Sequence, residues 1–522
     1  MKCRLLALAV AAVLYGPGVS YAQSFARPDP VLEAIWREGM DSSRVYPLAQ
    51  ALIDSIGPRL TGSPALRAAN DWLVQRYRAW GIDARNEQYG TWRGWRRGVT
   101  HLDLLEPRVR TLEATMLAWS PGTRAPVRAA VVALPHFADA AQFERWLPSV
   151  RGRFVLASFP QPTCRPDESW QEWATPESFE RMKAERARVA AEWASGLASA
   201  GVSPRDLPTR LEAAGAAGVL TSRWSLGWGV DKVFDAHTRR TPVLDVSCED
   251  YGLLYRLAAN GQGPVVRLDA TAESLGEVPV FNTIAVLRGT EKPDEYVVLS
   301  AHLDSWDGGS GATDNGTGTI TMLEAARILH RVYPHPKRTI LIGHWSGEEQ
   351  GLIGSNAFAA DHPEVVKGLQ ALFNQDNGTG RVSTVTMQGF TRAAGAFGRW
   401  LALVPEDLAR QITLVDPGLP SGGGSDNASF VCRGAPGFFL ASNSWDYGTY
   451  TWHTNRDTFD KISFDDLRRN AVLTAMLAYL ASEDPAPVSR ERRTIFPLDP
   501  RTGEPMTWPQ CRDVPRHSGP LP

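Results

Sequence analysis

The sequence lacks an excess of charge of either sign. Its 522 residues contain 55 Lys and Arg against 57 Asp and Glu, which gives a formal net charge of −2. No basic stripe of the kind that follows a phosphate backbone stands out, so nucleic acid is not predicted as a partner.

Cysteine is scarce, and no two cysteines have the CxxC spacing. Of the five present, Cys3 lies ahead of the first apolar run. The spacing excludes a cysteine-based metal site or redox motif. The other four are Cys164, Cys248, Cys432 and Cys511. In an oxidising compartment they permit up to two disulfides in any of three connectivities, and four reduced thiols are the alternative.

Long apolar runs are absent after the N-terminus, so no transmembrane helix is predicted. The chain begins with Lys2 and Arg4, then an apolar stretch from Leu5 to Leu14 and small residues up to Ala22. This pattern predicts a signal peptide over residues 1–22, with a retained membrane anchor as the alternative. The mature protein is expected to be exported, periplasmic or extracellular, and soluble, with no membrane partner.

The length predicts two domains, because the chain is too long for one ordinary hydrophobic core. Strands alternate with helices over 278–483, which predicts βαβ units and a largely parallel sheet. We expect a discontinuous α/β domain over 23–111 and 273–485, with a mostly β domain inserted at 112–272. The remaining residues, 486–522, form a tail rich in proline and arginine.

Four short apolar runs in the second half of the chain each precede metal-ligand residues. The runs are Tyr296–Leu299, Thr339–Ile342, Ala371–Phe373 and Gly437–Leu440. Buried parallel strands read as apolar runs, and open α/β sheets bind ligands beyond the carboxyl ends of their strands. Five residues are therefore predicted to meet: His302, Asp314, Glu349, Asp376 and His453. Two imidazoles and three carboxylates suit two zinc ions that share one carboxylate.

The first run offers both a ligand and a supporting acid. His302 and Asp304 are two residues apart, so strand alternation puts them on the same side. We expect His302 to bind metal and Asp304 to fix the tautomer of its ring. Asp314 follows a glycine-rich stretch and is the predicted bridging ligand. Asp307 has the same chemistry, and spacing alone does not exclude it.

Two adjacent glutamates follow the second run. The side chains of Glu348 and Glu349 diverge because the residues are neighbours, so one can bind metal while the other stays free. A free carboxylate beside a metal can take a proton from water and pass it to a leaving amine. Asp376 precedes an Asn-Gly-Thr-Gly stretch, so a cap or turn residue is its alternative interpretation.

In combination, these motifs resemble those of the co-catalytic two-zinc exopeptidases, which include secreted aminopeptidases, glutamate carboxypeptidases and glutaminyl cyclases. The resemblance is carried by His302–Asp307, Thr313–Gly316, Gly347–Gly351, Asp376, Ser425–Phe430 and His453–Thr458. The sequence of the first segment, His302–Asp307, is most similar to that of the carboxypeptidase Q branch. Residues 112–272 resemble the protease-associated domain that several members carry.

The resemblance implies the zinc exopeptidase fold and a role for each matched residue. One zinc ion is implied on His302 and Asp376 and the other on Glu349 and His453, with Asp314 as the bridge. Glu348 is the implied general base, and Asp304 is the implied acid that supports the ligands without binding metal.

The sequence departs from the family pattern at two positions. Trp452 stands where some members have a tyrosine that steadies the tetrahedral intermediate, and Tyr450 or Tyr447 is the candidate substitute. Asn427 stands where a histidine is common, so no role is transferred to it.

The resemblance implies hydrolysis of terminal peptide bonds in dipeptides or short peptides, by zinc-activated water with a glutamate base. Amino- versus carboxypeptidase preference, side-chain specificity and homodimerisation stay open. One alternative is a glutaminyl cyclase, a chemistry that usually needs one zinc. Another is an inactive, receptor-like binding module, from which missing ligands are expected.

Overall fold

The computed structural model describes residues 27–519, and the predicted signal peptide lies outside these residues. The strands are β1 (Asp83–Glu106), β2 (Arg110–Leu112), β3 (Ala114–Met116), β4 (Val127–Ala133), β5 (Phe154–Leu156), β6 (Gly218–Thr221), β7 (Val243–Val246), β8 (Val265–Leu287), β9 (Lys292–His302), β10 (Arg338–Trp345), β11 (Leu369–Asn374), β12 (Val382–Thr386), β13 (Thr413–Val415) and β14 (Gly437–Ser442). The α-helices are α1 (Pro30–Asp41), α2 (Val45–Gln50), α3 (Pro64–Ala79), α4 (Ala140–Trp146), α5 (Asp167–Trp173), α6 (Pro176–Ser199), α7 (Leu207–Ala213), α8 (Cys248–Ala259), α9 (Thr317–Val332), α10 (Ile353–Asp361), α11 (Pro363–Gly368), α12 (Ala393–Leu401), α13 (Glu406–Ala409), α14 (Ala428–Val431) and α15 (Phe464–Glu483).

One mixed sheet connects the strands. Its main path is β13-β12-β14-β11-β9-β10-β8-β4-β5-β6-β7-β3, with β1 paired to β8 and β2 to β1. Strands β14, β11, β9 and β10 are parallel to one another, whereas β8 and β12 are antiparallel to their neighbours β10 and β14. The predicted fold class, a mixed and largely parallel α/β sheet flanked by helices, is confirmed.

Helices cover both faces of the parallel strands. Helices α1, α9 and α15 pack on one face, and residues such as Ile320 and Leu473 join the main core. On the other face, Phe358 of α10 and Phe430 of α14 pack against Trp345. Every residue of β10 and β11 is buried, which is why these strands read as apolar runs rather than alternating ones.

Residues 112–272 contain helices α4 to α8 as well as strands β3 to β7, so the expectation of a mostly β stretch is wrong. Parallel pairing of β4, β5, β6 and β7 explains the difference, because parallel strands need crossover connections that are usually helical. The predicted boundary at 272/273 falls inside β8, whose two halves contact different cores. The domain boundaries therefore stay a prediction.

The residues after α15 pack along the surface of the main core, which Val488 and Trp508 contact. Cys511 forms a disulfide with Cys432, and Cys164 pairs with Cys248, which selects one of the three connectivities. Trp508 donates a hydrogen bond to the Val431 carbonyl. Within residues 27–519, no helix has both the length and the apolar character needed to cross a membrane.

Helix α3 begins at the predicted cap and carries a tyrosine into the core. Ser63 accepts a hydrogen bond from the Leu66 amide at 3.1 Å, and Pro64 occupies the first position, where its missing N–H is not needed. Tyr77, near the other end of α3, contacts Nε2 of His344 on β10 at 2.7 Å. Both side chains are fully buried.

This buried histidine predicts a specific acid sensitivity. Burial lowers the pKa of His344 to about 3, whereas a histidine in an unfolded chain titrates near about 6.5. Between these values the unfolded state binds more protons, so the free energy of unfolding falls as the pH drops through this window. The expected loss from this residue at pH 4 is about 3 kcal/mol relative to pH 7.

Urea unfolding of the wild type and His344→Gln at pH 7 and pH 4 checks this expectation. The variant should lose less stability on acidification, because glutamine does not titrate. His101→Gln, at an exposed position, serves as the control and should keep the wild-type acid sensitivity. Equal acid sensitivity in all three proteins would contradict the assignment.

Candidate metal centre

The structure brings the five predicted ligand side chains together beyond the carboxyl ends of the parallel strands. They form two groups whose ligand atoms lie within 4.8 Å of one another: His302, Asp314 and Asp376, and Asp314, Glu349 and His453. All five side chains are at most 11% exposed. Strands β9, β10 and β11 therefore deliver their ligands to one buried place, as the strand-end argument predicts.

Asp314 lies between the two imidazoles. Its Oδ1 is 3.4 Å from Nε2 of His302, and its Oδ2 is 3.3 Å from Nε2 of His453. Asp376 Oδ1 is 2.9 Å from the first imidazole nitrogen, and Glu349 Oε2 is 2.9 Å from the second. Each Asp314 oxygen thus faces a different group, which is the arrangement that a bridging carboxylate needs.

The chemistry of these donors fits a pair of divalent cations. Among the described residues, Asp314 Oδ2 and Glu349 Oε1 are buried without a hydrogen-bond partner. Burial raises the pKa of Glu349 well above its ordinary value, and the charge of Asp314 adds to the shift. Burying three carboxylates together is unfavourable unless cations offset their charge. Imidazole and carboxylate donors are those of zinc sites.

Asp304 supports the site in a way that differs in detail from the prediction. Nδ1 of His302 is 3.0 Å from the backbone carbonyl of Asp304 but 3.7 Å from its carboxylate. Because a carbonyl only accepts, Nδ1 carries the proton and leaves Nε2 free to face the carboxylates. The Asp304 carboxylate instead accepts hydrogen bonds from the backbone amides of Glu348 and Glu349.

The turn after β10 separates the two glutamates. Gly347 has a φ of 73°, a backbone conformation that residues with a Cβ rarely adopt. A Cβ there would lie 2.8 Å from the Tyr89 hydroxyl. Glu349 joins the second group of ligands, whereas the Glu348 side chain makes no hydrogen bond to another described residue. Burial raises the pKa of Glu348 well above its usual range, and the charges of Asp376 and Asp426 contribute.

Asp307, the alternative bridging residue, lies outside both groups. Its carboxylate oxygens are 2.7 and 3.1 Å from the Arg97 guanidinium. Asp314 is held in place by Asp457, whose carboxylate accepts from the backbone amides of Thr313 and Asp314 at 2.8 and 3.0 Å. Asp457 lies in the His453–Thr458 motif, but 143 residues separate it from Asp314, so the sequence does not predict this contact.

Arg59 is a second support that the sequence argument missed. Its guanidinium is fully buried and donates to the carbonyls of Leu303, Ser310 and Gly311, at 2.6 to 2.8 Å. These carbonyls belong to the loop that leads from β9 to Asp314. Arginine is rarely fully buried unless it is paired. An arginine in a turn-rich stretch is therefore only a weak indication that Arg59 has a structural role.

A segment from 112–272 holds the backbone around His453. The Val233 amide donates to the His453 carbonyl at 2.8 Å, and Lys232 Nζ donates to the Trp452 carbonyl at 2.6 Å. The Phe234 ring lies 5.1 Å from the His453 ring. His453 itself has φ of 59°, a strained conformation for a non-glycine residue. The neighbouring segment stabilises this conformation.

Of the two candidate tyrosines, Tyr447 is the one beside the ligands. Burial raises the pKa of the Asp314 carboxyl, but the imidazoles of His302 and His453 and the Tyr447 hydroxyl together lower it below its usual value. Tyr450 packs its ring against Gly227 instead. Asp426, missed by the sequence argument, is fully buried near His302, and burial raises its pKa to about 7.

Part of the chain that contains the site matches a known protein family, and most of the chain matches a known relative. Residues 282–478, which contain all five ligand side chains, match Peptidase family M28. Carboxypeptidase Q of Bos taurus is 25% identical over 489 residues, which cover 92% of this chain and 96% of that protein.

Two solved structures share the fold. A peptidase M28 precursor from Shewanella amazonensis SB2B aligns with a TM-score of 0.63 and 24% identity, covering 90% of this chain and 98% of that one. BSAP, a zinc aminopeptidase from Bacillus subtilis, aligns with a TM-score of 0.54 and 20% identity, covering 87% and 98%. The chain is a zinc-dependent metallopeptidase, and its residues 282–478 are similar to Peptidase family M28.

Proposed function

We propose that this protein is an exported two-zinc exopeptidase that cleaves dipeptides and short peptides. The observation that carries the proposal is the pair of ligand groups that share Asp314, with the unligated Glu348 beside them.

The proposed ligands are His302 and Asp376 for one zinc ion, Glu349 and His453 for the other, and Asp314 for both. Zinc held by these donors supplies Lewis acidity toward the scissile carbonyl and acidifies water. The protein contributes the rest: the Nδ1 bond to the Asp304 carbonyl orients His302, and Asp457 orients Asp314.

Glu348 is the proposed proton carrier. Its carboxylate takes a proton from the attacking water as the water oxygen bonds to the carbonyl carbon. The same proton then passes to the leaving nitrogen as the C–N bond breaks. Burial raises the pKa of the Glu348 carboxyl, and a raised pKa makes its ionised form the stronger proton acceptor.

Two observations support the finer parts of the proposal. A complete second ligand group, with Glu349 and His453, favours hydrolysis over the single-zinc cyclase and over an inactive module. The pairs Cys164–Cys248 and Cys432–Cys511 support export, because such bonds persist in oxidising compartments.

A dipeptide assay on the purified mature protein, combined with metal analysis, tests the function. We expect about two zinc ions per chain by mass spectrometry. We also expect hydrolysis of unblocked dipeptides that a chelator abolishes and added zinc restores. An N-acetylated dipeptide is the matched control substrate, because it lacks the free amine.

Two outcomes would overturn the proposal. One is full activity in protein that has been stripped of metal. The other is release of ammonia from a glutaminyl peptide without any hydrolysis, which identifies the cyclase alternative.

A further inference from the structure

A cavity of about 700 Å³ lies between α2, α3 and α9, away from the metal centre. Helix α9 begins at Thr317, three residues after Asp314, but the residues that it contributes to the cavity wall, Arg327, His330 and Arg331, lie near its other end. A helix rises about 1.5 Å per residue, so about 15 Å or more of α9 separates this wall from the metal ligands. The proposed peptidase reaction leaves the cavity without a role.

Guanidinium groups dominate the charge of this cavity. They belong to Arg44, Arg76, Arg327 and Arg331, and among residues 27–519 no carboxylate lines the wall. Two carboxylates behind the wall offset part of the charge. Glu324 lies 2.8 Å from Arg327. Glu38 lies 3.0 Å from Arg331 and also pairs with Arg327. Two carboxylates therefore oppose four guanidinium groups, and the cavity stays positive.

Arg44 and Arg76 are the cations that this pairing leaves over. Within the described part of the chain, neither guanidinium group forms an ion pair, a hydrogen bond or a ring contact. The Arg44 backbone amide is fixed, since it donates to the buried Glu324 carboxylate at 2.9 Å. Both arginine side chains are exposed, so both are available to a ligand in the cavity.

Two tryptophans give the cavity flat apolar walls. Trp72 and Trp80 are each four residues from Arg76, a spacing that puts side chains on one face of a helix. Both indoles are half-buried and pack against the main core, which holds them in place. Aromatic rings favour stacked or edge-on contacts with other rings. An arginine between two indoles therefore suits a flat ring that carries negative charge.

The polar side chains on the wall are almost all hydrogen-bond donors. Guanidinium groups and indole N–H groups can donate but cannot accept. His330 is the other polar side chain on the wall among the described residues, and one nitrogen of a neutral imidazole accepts. A cation, or an uncharged sugar with many hydroxyl donors, would find few acceptors here. The wall instead matches a ligand that accepts hydrogen bonds and is negatively charged.

We propose that this cavity binds an aromatic anion. The charged group of the anion pairs with Arg44 and Arg76, and its ring stacks on Trp72 or Trp80. Guanidinium groups form paired hydrogen bonds with phosphate and with carboxylate, so an aryl phosphate and an aryl carboxylate are the two sources of this chemistry. The volume fits, because small-molecule sites enclose about 300 to 1,000 Å³. The site is separate from the metal centre and does not depend on the proposed peptidase function.

Isothermal titration calorimetry of the zinc-loaded protein with 1-naphthyl phosphate and 1-naphthoate tests this site. Inorganic phosphate supplies charge without the ring, and 1-naphthol supplies the ring without the charge. We expect at least one naphthyl anion to bind the wild type about tenfold or more tightly than either control probe. Arg44→Gln and Arg76→Gln should each weaken that binding about tenfold, because each removes a charged hydrogen bond. Arg240→Gln, an exposed arginine outside the cavity, should bind as the wild type does.

The comparison of the four probes uses the wild type alone, so it does not depend on whether a variant folds. The tighter of the two naphthyl anions identifies phosphate or carboxylate as the preferred group. Binding of 1-naphthol as tight as that of both anions, or no binding of either anion, would overturn the site. Unchanged affinity in both cavity variants would also overturn it. If a chelator abolishes that unchanged binding, the anion lies on the metal ions instead.

Discussion

Glu348→Gln is expected to lower kcat by about 10³- to 10⁴-fold while the protein keeps its metal. The amide is nearly isosteric with the carboxylate but cannot carry the proton from water to the leaving nitrogen. Glu348 contributes no atom to either ligand group. Its backbone amide, which bonds to Asp304, is unchanged by the substitution. Substrate binding should therefore survive, with KM close to the wild-type value.

The measurement pairs steady-state kinetics with zinc content after gel filtration. Glu364→Gln, a similar change at an exposed position, is the matched control and should behave as wild type. Turnover of Glu348→Gln near the wild-type rate would remove this residue from the role of base. Loss of zinc in the same variant would instead make Glu348 a ligand.

Asp314→Ala is expected to lower zinc content to one ion or fewer per chain and activity by about 10³-fold or more. The reason is geometric, since the two oxygens of Asp314 face His302 and His453 separately. Asp307 cannot replace it, because the Asp307 carboxylate lies 2.7 Å from the Arg97 guanidinium.

Asp307→Asn is the matched control, because the spacing of the sequence allowed either aspartate to bridge. This variant should keep about two zinc ions per chain and turnover close to wild type. Its thermal stability should fall, since Arg97 loses its charged partner. Retention of both ions in Asp314→Ala, or their loss in Asp307→Asn, would reverse the assignment. Zinc content by mass spectrometry and a thermal melt distinguish these outcomes.

The parallel strands and the residues that follow them could be predicted from the sequence alone. Strands that are buried on both faces are mostly apolar, so β9, β10 and β11 are visible in the sequence as apolar runs. Their parallel direction then requires that the residues which follow them meet at one edge. His302 and Glu349 are close to the ends of β9 and β10. A strand predicted from its apolar run therefore also places the ligand residue that follows it. This local link explains why the five side chains converge as predicted.

The surroundings of those residues could not be predicted, because they come from distant parts of the chain. Arg59 reaches the loop after β9 across 244 residues of chain, and Val233 reaches His453 from a stretch with no motif. The choice between Asp307 and Asp314 depended on where Arg97 lies. Parallel pairing of β4 to β7 also filled 112–272 with helices. These contacts join residues that are far apart in the sequence, so no local periodicity relates them.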